Sequence, residues 1–152
     1  MRAWRVCKRQ HAASAFDGEG AFRYGGRWNS PGTRVVYVAA SPALAALEIV
    51  VNTYEPEDLF RIPYVLIPVE IPDGCVTRPA NLPPDWKQDP PSLSSAKVGD
   101  DWARARASVA LEVPSAVVPV ENNYLLNPLH GDFRQLTIGD PQPFEFDPRL
   151  VK

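Results

Sequence analysis

RVVYVAASPALAALEIVVN, residues 34–52, changes its periodicity halfway along, and that change sets the fold class. Arg34 to Ala40 is β-branched and aromatic, the composition of a strand. Ser41 and Pro42 then supply an N-cap followed by a proline at the first helical position, and the apolar run behind them continues as a helix to about Asn52. A strand feeding directly into a helix marks a mixed domain. Leu44, Leu47, Glu48 and Val51 fall at i, i+3, i+4 and i+7, which puts Glu48 on the helix stripe expected to face the core. An unpaired carboxylate on such a stripe costs about 3 to 5 kcal/mol, so it needs a partner or a task. A structural ion pair with an arginine and a catalytic or ligand-orienting role both remain open for it. Tyr37, in the preceding strand, either fills core or walls a cleft beside that helix.

Upstream, Ala3 to Cys7 alternates as a short strand and carries Arg5. From His11 to Gly32 the composition turns to Gly, Asp, Ser and Asn, and the segment reads as one long ordered loop because Phe16, Phe22, Tyr24 and Trp28 require burial. Gly25, Gly26, Arg27, Trp28 and Asn29 are its densest signal. Two glycines let the backbone approach a ligand closely, and the adjacent guanidinium is a planar fork suited to phosphate. No P-loop or dinucleotide fingerprint accompanies them, so a plain glycine turn with a surface arginine stays open as well.

Downstream, Tyr64 to Ile71 is a strand in which Pro68 argues for an edge or a bulge. Residues 72 to about 95 crowd five prolines after Pro72 and read as an extended surface loop. A short helix follows around Asp100 to Ala107. Ser108 to Val113 and Ala116 to Val120 read as strands separated by Pro114 and Ser115, and Leu136 to Ile138 and Phe144 to Phe146 as two last short ones. The sum is a strand-rich α+β fold in one domain, residues 1–152.

The composition excludes several function classes. A net charge of -2 with no long Lys/Arg cluster disfavours direct nucleic-acid binding. No apolar run is long enough for a bilayer and the first ten residues are too mixed for a signal peptide, which predicts a soluble cytoplasmic protein with no membrane partner. Cys7 and Cys75 read as free thiols, and with His11 and His130 as the only histidines a metal site is not expected. Ser115 follows a proline without a nucleophile elbow around it, so a serine-hydrolase triad is not expected either.

The runs FDGEGAFRYGGRWNSPG (16–32), VVYVA (35–39), ALAALEIVV (43–51), ALEVPSAVVPVENNYLLNP (110–128) and HGDFRQLTIGDPQPFEFDPRL (130–150) together resemble the RES domain family in order and spacing, over about residues 3 to 150. The resemblance implies an ADP-ribosyltransferase-like fold, a split β-sheet sandwich with a few short helices that encloses NAD. It further implies a toxin of a toxin–antitoxin pair that cleaves the nicotinamide–ribose bond, with NAD as substrate rather than cofactor. An Xre-like helix-turn-helix antitoxin and a homodimer within the toxin–antitoxin complex are the implied partners. Carried over residue by residue, the catalytic positions are Arg27, Tyr37 and Glu48, and the substrate-binding positions are Arg5, Trp28, Asn29, Ser115 and Asn123. Val120 stands where the family usually has a glycine and Asn122 where it has an aromatic, which puts only local loop shape in doubt. A protein-directed ADP-ribosyltransferase and a catalytically silent module that binds NAD or the antitoxin are the competing readings.

Overall fold

The computed structural model describes residues 1–151. In chain order the regular elements are β1 (Arg2–Lys8), α1 (Glu19–Tyr24), β2 (Val36–Ala39), α2 (Pro42–Val51), α3 (Asp58–Arg61), β3 (Tyr64–Glu70), β4 (Val76–Thr77), α4 (Leu93–Ala105), β5 (Ala110–Pro114), β6 (Asn122–Leu126), β7 (Thr137–Ile138) and β8 (Gln142–Phe144). The strands join in the order β4-β5-β6-β2-β1-β3-β7, with β8 also on β3. Among the described residues only β4 and β5 run parallel.

Pairing is uneven along this order, and the unevenness creates the site. β1 pairs with β3 over its whole length, and β2 pairs with β6 over all four of its residues. Between β1 and β2 the ladder holds a single pair, Trp4 with Ala39. The two blades of the sheet therefore diverge beyond that pair, leaving the edge of β1 from Arg5 onward unpaired on one side.

Side-chain alternation divides the sheet into two faces. Val6 and Ala39 pack under α2 with Leu44, Ala45 and Ala46, while Leu111, Val113 and Leu125 pack under Trp28 and Trp102. On the opposite face Ala3, Val36, Val38, Tyr124 and Leu126 are covered by Leu136, Phe133 and Phe16. The helix α2 begins where its sequence dictates: the Ser41 hydroxyl accepts the Leu44 N–H at 3.1 Å, and Pro42 occupies the first turn.

Several expected elements differ. The segment 11–32 is not one loop: a 3-10 turn at Arg9–Ser14 runs into its start and α1 lies within it, and Phe22 and Tyr24, both expected to be buried, are 38% and 82% exposed, since the helix turns them outward while Trp28 takes the buried position. α4 starts at Leu93, capped by the Ser92 hydroxyl on the Ser95 N–H, and ends at Ala105, so it begins seven residues earlier than expected and shortens the proline-rich loop. Its buried residues Ser95, Ala96, Gly99 and Trp102 have helical spacing. Ala116–Val120 is a turn rather than a strand, and the strand that follows it is β6. Pro68 is not at the sheet's edge. It falls between the short ladders that β8 and β7 make with β3, and the break in outer pairing coincides with it.

Gly99 fixes how closely α4 approaches the segment that carries Trp28. A β-carbon at that position would sit 1.7 Å from the Trp28 carbonyl oxygen, a backbone atom that has nowhere to go. Gly99→Ala is expected to destabilise the protein by about 3 kcal/mol, with a lowered urea midpoint as the readout.

Candidate functional site

Glu48 sits one turn inside the C-terminal half of α2, half-buried, on the side of the helix that overlooks β6. The stripe that faces the core is instead Leu44, Ala45 and Ala46 with Ile49 and Val50 beside them, so Glu48 lies at its margin and Val51 is exposed. No arginine pairs with Glu48 among the described residues, which overturns the structural ion pair as an explanation. Its Oε1 accepts two neutral hydrogen bonds instead, from Ser115 Oγ at 2.8 Å and from Asn123 Nδ2 at 2.8 Å. The carboxylate is thus oriented while its charge stays uncompensated.

Ser115 was expected to touch substrate, but it is 0% exposed. Its hydroxyl donates to Glu48 and accepts the Val117 and Val118 N–H groups at 3.1 Å each, while its own N–H donates to the Glu121 carbonyl at 3.0 Å. It is the pin that folds the turn between β5 and β6 and presses that turn against Glu48. Asn123 keeps Oδ1 buried and without a hydrogen-bond partner.

A second cluster lies on the same sheet face, two residues along. Tyr37 on β2 is cross-strand from Leu125, and its hydroxyl donates to Asn29 Oδ1 at 2.7 Å and accepts the Trp28 N–H at 3.0 Å. Gly26 has no side chain because a β-carbon there would stand 2.7 Å from that hydroxyl. Asn29 spends its amide on the carbonyls of Ala21, Ser30 and Thr33 and is 1% exposed, and Trp28 is 2% exposed. Both were expected as ligand contacts; the structure makes them scaffold, with every polar group of the Asn29 side chain used internally. Burial pushes the Tyr37 phenol well above its ordinary range, the Trp28 N–H bond opposing that shift and Asp100 adding to it. The ring, not the hydroxyl, is what Tyr37 can offer a ligand.

Arg27 extends from this cluster under the proline-rich loop. Its Nη1 donates to the Trp86 carbonyl at 2.9 Å and the Gln88 carbonyl at 2.7 Å, and the Trp86 ring stacks on Trp28 with centroids 6.2 Å apart. Nε and Nη2 take no part in those two bonds. Arg5 reaches across the divergence between the blades, donating from Nη1 to the Tyr37 carbonyl at 3.0 Å, while its Nε is buried without a partner among the described residues. Burial lowers the pKa of the Arg5 guanidinium, with Cys7 and then Asp17 acting in the opposite direction. Arg5 and Arg27 are the half-buried arginines without a carboxylate partner among the described residues; Arg34, equally shielded, has Glu19. The described residues thus include two shielded guanidiniums and one half-buried carboxylate that are held by neutral partners and by no ion pair.

Residue patterns missed three contributors. Asp100 on α4 accepts the Ser30 N–H at 2.9 Å and Gly99 admits the Trp28 backbone, so α4 clamps the Gly25–Ser30 turn. Trp86 clamps it from the other side. The Trp86 ring amid prolines was the available signal, since an aromatic in a loop needs burial as much there as in the earlier segment. Among the described residues no three His, Cys, Asp or Glu side chains gather as a metal site requires, Cys7 and Cys75 are free thiols, and no helix is long and apolar enough to cross a membrane.

Comparison with known proteins places this geometry in a family. The RES domain model matches residues 2–147. A protein named Toxin Res from Yersinia enterocolitica is 38% identical over 151 residues, covering 99% of each chain. One named Prs ADP-ribosylating toxin, from a Sphingobium species, is 35% identical over 156 residues, covering 98% of this chain and 96% of its own. The crystal structure of the M. tuberculosis MbcT-MbcA toxin-antitoxin complex contains a chain that superposes with a TM-score of 0.75 at 20% identity, over 98% of this chain and 85% of that one. The fold is therefore the mixed α+β, ADP-ribosyltransferase-like one expected.

Two stability predictions follow from the hydrogen bonds. Ser115→Ala leaves two turn N–H groups and Glu48 short of a partner, and is expected to cost about 2 to 3 kcal/mol in denaturant unfolding. The folded Tyr37 phenol holds its proton where the unfolded one has lost it, so stability falls as pH rises above about 10. Tyr37→Phe is expected to be less stable at neutral pH, through its lost hydrogen bonds, and to show a shallower decline above that pH in a series of urea melts.

Proposed function

The chain belongs to the RES domain family, and from that membership and the Glu48–Ser115–Asn123 cluster we propose that it is the toxin of a toxin–antitoxin pair and acts on NAD by breaking the bond between nicotinamide and ribose. The observation that carries this reading is the uncompensated Glu48 carboxylate, held by neutral donors on the sheet face that also carries Tyr37. Cleavage of the glycosidic bond sends its electron pair to the nicotinamide nitrogen, which leaves neutral, while positive charge grows on the ribose. A fixed anion stabilises that charge because it gains attraction as the charge develops and needs no reorganisation. Glu48 is that anion, and Ser115 and Asn123 set its direction.

The diphosphate calls for the opposite charge. Arg5 and Arg27 supply it, Arg27 through the Nε and Nη2 edges that the loop carbonyls leave over. The Tyr37 ring forms the wall against which nicotinamide stacks, held rigid by the Trp28 and Asn29 bonds to its hydroxyl. A water, an inorganic phosphate or a nucleophile on a protein then attacks the ribose carbon and gives up its proton. Water yields ADP-ribose and phosphate yields its phosphorylated counterpart. The Sphingobium relative's name supports keeping transfer to a protein as the second reading. A second chain seated over this face of the sheet is the simplest way for an antitoxin to silence the site, and an Xre-like helix-turn-helix protein is the partner proposed.

Glu48→Gln keeps the shape and removes the charge. It is expected to lower NAD turnover at least about a hundredfold with an unchanged circular dichroism spectrum. Turnover equal to wild type excludes Glu48 as the stabilising anion. Chromatography of the products formed with and without phosphate identifies the acceptor, and labelling of protein from extract by adenylate-labelled NAD identifies the transfer reaction.

A further inference from the structure

Between β4 and α4 the chain runs from Arg78 to Pro91 without a ladder or a helix. Among the described residues, the backbone of this segment is hydrogen-bonded to the rest of the protein at two points only, the carbonyls of Trp86 and Gln88. Both accept from the same atom, Nη1 of Arg27. Its other backbone bonds, from the Trp86 N–H to the Pro83 carbonyl and from the Gln88 N–H to the Asp85 carbonyl, close turns inside the segment itself. We propose that residues 78–91 form a strap that opens and closes with Arg27 as its latch, and that the closed strap in return aims Arg27 at an anionic ligand, Trp86 being the positioning residue. The latch rests on this geometry alone; the coupling to a ligand rests on the proposed use of Arg27 on the NAD diphosphate.

The hold on the strap is narrow. Residues 80–82, 84 and 87–91 are exposed, while Trp86 is half-buried, stacked on Trp28 and packed on the cluster that contains Trp102 and Leu111. One ring and one guanidinium therefore do most of the fastening. Asp85 works against them. Its Oδ1 is buried without a partner among the described residues, and its Oδ2 has only the Ser94 hydroxyl at 3.5 Å. Closure keeps this carboxylate short of hydrogen bonds that water supplies once the strap lifts, and that shortfall subtracts from the hold. Segments with few buried contacts and few backbone bonds to the body are the ones that open locally.

Arg27 couples the strap to a ligand because a guanidinium is planar and its N–H groups are fixed relative to one another. With Nη1 spent on two carbonyls, the directions of Nε and Nη2 are set, and a phosphate that meets them finds a cation already aimed. An open strap leaves Arg27 free to rotate. A ligand that needs the aimed form then binds with an affinity reduced by the closed fraction. Linkage requires the converse as well: a ligand held by Arg27 closes the strap. Trp86 acts in this scheme through Arg27 and touches no ligand itself.

Lys87 supplies the readout. Its side chain is exposed and the Lys87–Gln88 bond lies between the two latched carbonyls, so trypsin cuts there from the open strap, at a rate that follows the open population. Cleavage after Lys97, inside α4, reports general unfolding. In the full chain, Arg27→Gln and Trp86→Ala are each expected to speed cleavage at Lys87 about tenfold with cleavage at Lys97 unchanged, and Trp86→Phe to restore most of the protection. ADP-ribose, which has no nicotinamide to lose, is expected to slow cleavage at Lys87 of the wild type in a saturable way and to leave that of Arg27→Gln unchanged. Trp86→Ala is expected to raise the KM for NAD about tenfold and to keep kcat within about twofold, because saturating substrate closes the strap. Equal cleavage at Lys87 in wild type and Arg27→Gln overturns the latch. ADP-ribose that does not bind the wild type, or that binds it without protecting Lys87, overturns the coupling, and this titration needs no variant to fold. Protection of Lys87 by ADP-ribose in a chain that leaves NAD intact overturns the proposed reaction and keeps the strap.

Discussion

A carboxylate shielded from water normally recruits a cation, and Glu48 does not. It is held by the hydroxyl of Ser115 and the amide of Asn123, both neutral. That choice costs stability relative to an ion pair, because the charge is oriented without being neutralised. Much of the surrounding architecture follows from it. The turn after β5 exists to present the Ser115 hydroxyl, which it does by bonding the same oxygen to two of its own N–H groups. β6 starts with polar residues because its first side chains meet carboxylates: Asn123 meets Glu48, and Asn122 meets Glu112 at 2.9 Å on the other face.

The single pair linking β1 and β2 is the second constraint. A continuous ladder there would close the gap into which Arg5 projects, and the helix α2 would cover a flat sheet. With the ladder broken after one pair, α2 lies along the divergence and presents Glu48 to one blade while its last turn faces the other. The rigid part of the site is built around this gap. Tyr37 anchors the glycine turn from below, and α4 and Trp86 hold it from two further sides, so that the backbone of Gly25 to Ser30 is fixed by contacts from three elements.

The parts of this fold that sequence made legible are those where one signal acts alone. Ser41 and Pro42 defined the start of α2 to the residue because capping and proline geometry agree there. Where signals overlapped, reading failed. Ser92 caps α4 as Ser41 caps α2, but it lies among prolines whose composition reads as loop. Val117, Val118 and Val120 have strand composition, yet Ser115 takes their segment into a turn, and the strand that follows was hidden by its leading asparagines. The site divides in the same way. Glu48, Tyr37, Arg27 and Arg5 stood out by residue type and position, whereas Gly99 acts through the side chain it lacks and left no pattern, and the ring of Trp86 left only the weak signal of an aromatic among prolines. Asn29 and Trp28 misled for the converse reason: both side chains of this dense motif are turned inward and spent on the fold.

The distribution of paired and unpaired arginines sharpens that division. Arg2, Arg23, Arg34, Arg61, Arg78, Arg104 and Arg149 each stand within 4.0 Å of a carboxylate. Most of these pairs are exposed and contribute little to stability. Arg5 and Arg27, where shielding makes an unmatched charge most costly, are the ones left with carbonyl oxygens as partners. A carbonyl fixes the direction of a guanidinium while leaving its positive charge in force, just as Ser115 and Asn123 do for the negative charge of Glu48. The same device, used with both signs, keeps three charges in fixed positions without neutralising them.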